Sequence, residues 1–155
     1  MKKFLFGICA LFLLAGCASV KQAQSLSNCK FALTSVQLTD YGITSLGFDV
    51  VIAITNPSKT ETAALKRFVG KLTVNDEYMA DVTLTDIKID PNSTKNAKAK
   101  VNVPLSAISS KLVGLLGMSS ATLDYHLTGT MFFEGPLGVE IPLAVDVGRY
   151  GSENF

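Results

Sequence analysis

A chain of 155 residues with 48% hydrophobic and 17% charged content can bury one core, and it is too short for a second domain of ordinary size. Its formal net charge of +1 gives no basic footprint, so nucleic acid is not an expected partner. With one histidine in the chain, any triad or histidine-based metal site must be built around His126.

Lys2 and Lys3 precede an apolar run from Phe4 to Leu14, shorter than the about 20 residues that a membrane-spanning helix needs. Residues 1–16 therefore read as a signal peptide. The run ends in Leu14-Ala15-Gly16-Cys17, which resembles the bacterial lipobox, where a Cys is lipidated on sulfur and becomes the mature N-terminus. Cys17 is thus the expected lipidation site, and several acyl chains at about 0.8 kcal/mol per buried methylene exceed what stable anchoring requires. Ordinary secretory cleavage, with Cys17 incidental, is the other reading. Ala18 stands where a retention signal for the inner membrane would be Asp. By the same resemblance, the expected location is the bacterial cell envelope, lipid-anchored at the outer membrane and facing the periplasm. Processing removes Cys9 and leaves Cys29 with no intramolecular disulfide partner, so it is expected to be a packing residue at the head of the first strand. Residues 17–30 read as the lipidated Cys and a polar tether, and 31–150 as the folded domain.

Phe31 to Thr39 alternates as a strand, with a change of phase at Thr34-Ser35 that predicts a bulge. Leu46 to Thr55 is a β-branched run with small or apolar residues on both faces, hence a central strand. It stops at Asn56-Pro57, because Pro57 has no ladder donor and keeps Asn56 out of the helical region. Phe68, Gly70, Leu72 and Val74 share a phase, Asn75-Asp76-Glu77 connects a hairpin, and Tyr78, Ala80, Val82 and Leu84 form the return strand, which Ile87 and Ile89 continue. After the turn at Asp90-Pro91-Asn92, Ala97, Ala99, Val101 and Val103 alternate with Lys98, Lys100 and Asn102 up to Pro104. Leu105, Ile108, Leu112, Leu115 and Leu116 then follow at steps of three and four, which predicts one helix capped by Ser106 and stopped by Gly117. Period two resumes at Leu123, Tyr125, Leu127, Gly129, Met131 and Phe133, and a turn at Glu134-Gly135-Pro136 leads into Val139, Ile141, Leu143, Val145 and Val147. The pattern predicts an all-β antiparallel sandwich of about seven strands with one short helix.

Chemistry is sparse on these strands. His126 falls on an outer face beside Asp124 and reads as solvated, and no G-x-S-x-G occurs, so no catalytic residue is expected and the chain is not read as an enzyme. Asp86, Asp90 and Asn92 carry oxygen ligands but lack the loop glycine and the terminal bidentate Glu of a calcium loop, so neither a metal nor a cofactor is expected. Lys98 and Lys100 share a face that either meets anionic headgroups or protects a sheet edge. Leu112, Leu115, Leu116 and Met118 either plug the end of the sandwich or line an apolar groove beneath the helix.

The Asn56-Pro57 stop, Val101-Asn102-Val103-Pro104-Leu105, Tyr125-His126-Leu127-Thr128-Gly129, and the closing Val139-Glu140-Ile141-Pro142-Leu143 with Gly148 occur in one order. Together they resemble the late embryogenesis abundant type 2 family, the water stress and hypersensitive response domain. Ser58 stands where that family often has a second Asn. The resemblance implies an immunoglobulin-like or fibronectin-like sandwich in which Asn56, Pro57, Tyr125 and Gly129 are structural marks. It also implies a non-catalytic protective or binding role in desiccation, osmotic or envelope stress. The alternative is a carrier or sensor of a lipid or other apolar ligand, held under the helix spanning Leu105 to Leu116. Expected partners are the membrane, through the lipid anchor, and a lipid or protein client. The sequence names no oligomeric state.

Overall fold

Alternating apolar residues extend into seven strands in the computed structural model, which describes residues 27–116, 122–134 and 139–152. In chain order these are β1 (Lys30–Tyr41), β2 (Ser45–Asn56), β3 (Ala63–Val74), β4 (Glu77–Ile89) and β5 (Ser93–Pro104). A 3-10 turn (Leu105–Ala107) and helix α1 (Ser110–Leu116) follow, then β6 (Leu123–Glu134) and β7 (Glu140–Ser152). One sheet has the order β1-β2-β5 and the other β4-β3-β6-β7, with every neighbouring pair antiparallel. The fold is thus an all-β sandwich, with β4 joining the sheet of β3 as in fibronectin-like domains.

β2 lies at the centre of the smaller sheet, and Leu46, Phe48, Val50, Ile52 and Ile54 all point into the core. Pairing between β1 and β2 slips between Leu33 and Ser35, where the sequence changes phase, so Leu33 and Val36 are both buried. Asn75 and Asp76 have φ of 49° and 66°, the double positive φ of a two-residue hairpin whose twist matches the flanking strands.

Two elements depart from the alternation. In β4 the register shifts so that Leu72 faces Ala80 and Thr73 faces Tyr78. Met79 takes the inward position at 2% exposure, and Tyr78 turns out to 49%. The single helix is in fact two pieces. Ile108 is extended, with φ −86° and ψ 129°, and ends the 3-10 turn by dropping its side chain into the core. The cap belongs to Ser109 rather than Ser106: its hydroxyl accepts the Leu112 N–H at 3.2 Å, leaving α1 only the stretch after it.

The glycine pair Gly70 and Gly129 stands opposite in register, and both face inward onto the ring of Phe68. A Cβ on Gly70 would meet Phe68 Cζ at 2.5 Å. A Cβ on Gly129 would lie 2.5 Å from the Val69 carbonyl oxygen, 2.6 Å from Gly70 Cα and 2.7 Å from Phe68 Cε2. Phe68 itself is 1% exposed, so its ring replaces the side chains that the two glycines lack.

Because backbone atoms form part of that contact, Gly129→Ala should destabilise by about 3 kcal/mol. Gly114→Ala, at a helical site with nothing within 4 Å of the added carbon, should be neutral or gain up to about 1 kcal/mol. Paired urea melts of the two variants check this, and equal midpoints would contradict the packing described.

Candidate functional site

Asn56 ends β2 with its side chain turned inward, and it is completely buried. Its Nδ2 donates toward the backbone carbonyls of Glu61 (2.8 Å), Ile89 (3.1 Å) and Asp90 (3.3 Å), and its Oδ1 accepts the Ser58 N–H (3.1 Å). One side chain thereby joins the end of β2, the approach to β3 and the end of β4, which belong to different sheets. Ser58 extends the clamp: its hydroxyl accepts the Glu61 N–H at 3.0 Å, and its carbonyl accepts the Asn92 N–H at 2.7 Å. Pro57 is exposed and contributes only the stop.

Tyr125 is also completely buried, and its hydroxyl has no hydrogen-bond partner among the described residues. Burial, with a smaller contribution from Tyr150, pushes the phenol above its ordinary range. The two rings lie 6.4 Å apart and tilted by 35°. Cys29 is buried at the head of β1, and desolvation raises its thiol to about 11, which makes it a poor nucleophile near neutral pH.

The smaller sheet pairs Lys98 with Asp49 across β5 and β2, at 2.6 Å. Lys100 is exposed two residues further along the same edge strand. Leu112 is 0% exposed and packs within the core. The side chains of Leu115 and Leu116, and the whole of Met118, lie outside the described residues.

The outer face of the larger sheet gathers residues that the chain order keeps apart. His126 Nε2 lies 2.9 Å from Asp146 Oδ1, which also accepts the Gly148 N–H at 2.9 Å. The His126 bond holds the Asp146 carboxyl below its usual range, helped by the Gly148 N–H. Asp124, the neighbour in sequence, is instead engaged by Arg149, which reaches Asp76 as well. The register explains the exchange: β7 sets Arg149 opposite His126 and Asp146 opposite Thr128.

Further along this face the cross-strand rows form a trough of about 770 Å³. Its floor is the row Val69, Thr130 and Ala144, all short side chains. One wall is Arg67, whose guanidinium stacks 4.0 Å over the Phe132 ring and bonds Glu140 at 3.0 Å. The other wall is the row Asp81, Lys71, Thr128 and Asp146. Alternation alone puts Lys71, Thr128 and Thr130 on outer faces. Only the pairing of β3 with β6 and of β6 with β7 shows that they are neighbours.

Neither a protein-family model nor a curated protein sequence matches the chain. Among solved structures, AT1g01470 from Arabidopsis thaliana aligns with TM-score 0.55 at 18% identity, over 81% of this chain and 83% of that one. The likeness is one of fold. At2g46140.1, provisionally described as a late embryogenesis abundant (LEA) protein, gives a TM-score of 0.48 at 16% identity over 98% of this chain and 89% of its own. A protein from Archaeoglobus fulgidus gives 0.46 at 11% identity, over 80% and 100%.

Replacing Asn56 by Asp puts a carboxyl among backbone carbonyls, where its folded-state pKa rises above the about 3.9 of the unfolded chain. Asn56→Asp should therefore lose at least about 3 kcal/mol at pH 7. The deficit relative to wild type should shrink as pH falls toward that unfolded value, since the neutral acid is the form the folded state tolerates. Thermal melts across pH 4–8 would show it, and a deficit independent of pH would refute the buried-clamp account. Tyr125→Phe removes a hydroxyl without a partner and should leave stability unchanged or raise it by up to about 1 kcal/mol. A loss above that size would mean that the hydroxyl is bonded.

Proposed function

We propose that this chain is a lipid-anchored periplasmic sandwich with a non-catalytic protective or binding role under desiccation, osmotic or envelope stress. The observation that carries the protective part is the use made of the marks that give the family resemblance. Asn56 clamps the two sheets together, Gly129 admits the Phe68 ring, and Tyr125 fills the core. These residues maintain a folded scaffold, in keeping with the resemblance to the late embryogenesis abundant type 2 family. The fold shared with AT1g01470 agrees with that reading. The anchor is supported separately by Leu14-Ala15-Gly16-Cys17 after a basic and apolar leader. Leu112 packs in the core, in keeping with the scaffold reading, while the other residues of the apolar-ligand alternative, Leu115, Leu116 and Met118, have no described side chains.

Anchoring and protection separate cleanly by experiment. Cys17→Ala should move the protein from the membrane pellet to the soluble fraction of fractionated cells, and continued sedimentation with membranes would remove lipid as the anchor. During drying and rehydration, the purified protein should preserve the activity of a labile enzyme better than an equal mass of an unrelated β-sandwich. Equal recovery would end the protective reading.

A further inference from the structure

The trough on the outer face of β4-β3-β6-β7 has unused polar capacity. Among the described residues Lys71 makes no ion pair, and the hydroxyls of Thr128 and Thr130 make no hydrogen bond. Arg67 commits one nitrogen to Glu140 and keeps the rest of its fork available, held in place by stacking on Phe132. Asp146 uses Oδ1 for His126 and Gly148, which leaves Oδ2.

Three features narrow the ligand. The cations Arg67 and Lys71 are balanced by Asp81 and Asp146 along the same walls, so the trough attracts neither a polyanion nor a polycation. The floor presents methyl groups from Val69, Thr130 and Ala144 beside hydroxyls, a surface for a molecule that is apolar on its C–H face and polar at its edge. The strands beneath are paired on both sides except at the sheet edges, so the floor offers no free backbone ladder for an extended peptide. Four strands at about 4.8 Å spacing give the trough a length of about 14 Å across them, room for a short oligosaccharide. Sugar hydroxyls both donate and accept, which suits walls that alternate carboxylate, ammonium and hydroxyl.

We infer that this trough, with Arg67, Lys71, Thr128, Thr130 and Asp146 as its polar contacts, is a binding site for neutral oligosaccharides. The inference goes beyond the anchoring and protective reading and does not rest on it. The test is calorimetric titration of the full chain in detergent micelles with chitotriose, maltotriose and, as a charged comparison, trigalacturonate. At least one neutral trisaccharide should bind saturably and more tightly than trigalacturonate. Thr130→Trp, which fills the floor, should weaken that binding at least tenfold, while Ala32→Trp on the other sheet should bind as wild type. Lys71→Gln removes an exposed and unpaired charge, so it should leave melting unchanged and weaken binding at least threefold, whether or not the Trp variant folds. No binding of either neutral sugar, tighter binding of trigalacturonate, or full binding by Lys71→Gln would each overturn the site.

Discussion

The fully buried amide of Asn56 is the interaction on which the sandwich closes. Two sheets can face each other through apolar contact alone, but such contact is non-directional and does not set where one sheet ends relative to the other. Asn56 supplies direction. Its Nδ2 reaches carbonyls of β4 and of the approach to β3, and its Oδ1 fixes the turn that begins at Pro57. These acceptors lie in a partly buried setting, where an unpaired carbonyl would cost about 1–3 kcal/mol, so the clamp penalises alternative alignments as well as stabilising the native one. Pro57 and Ser58 make the loop short and fixed enough for one side chain to reach all its partners.

At mid-sheet a different constraint operates. Phe68 packs beneath Gly70 and Gly129, at the junction of β3 and β6. Where two glycines pair across neighbouring strands, the backbone comes close to the core aromatic, and the outer-facing neighbours of this pair are Val69, Lys71, Thr128 and Thr130. The short pair Val69 and Thr130 continues across the sheet to Ala144. The large pair Arg67 and Phe132 stands one row away and gives the trough its wall. Core packing around Phe68 and the relief of the outer face thus share the same two strands, β3 and β6.

The strands were legible because their periodicity is local: each inward residue of β2, β5 and β6 follows from alternation and from Pro or Gly at the ends. The departures were not, since each depends on a partner. Tyr78 and Met79 exchange faces because β4 carries an extra residue opposite β3, which only the register reveals. The helix splits at Ile108 because that side chain is better buried in extended backbone than on a continuous helical stripe, while Ser109, with no mark to distinguish it from Ser106, takes the cap. The outer face of the larger sheet was the least legible part. His126 was set beside Asp124 by sequence, yet a bulge near Gly148 and the β6–β7 register deliver Asp146 to it and give Asp124 to Arg149. Lys98 and Lys100 were legible as a pair of like charges, but the partner of Lys98, Asp49, lies on another strand.

The distribution of space decides where such a protein can hold a ligand. Phe48, Phe68, Leu112, Leu123 and Tyr125 occupy the interior between the sheets and beneath α1, each at 1% exposure or less. Moving one of them aside for a guest would forfeit about 1.5–3 kcal/mol of burial before any contact with the guest was made. The outer face of the larger sheet carries no such penalty: its floor is already short, its walls are already charged, and Arg67 is already positioned by Phe132 and Glu140. Preorganised groups on a rigid sheet lose little freedom when they bind. The same rigidity originates at the Asn56 clamp and the Phe68 contact, so the residues that define the scaffold also hold the rows of the trough in register.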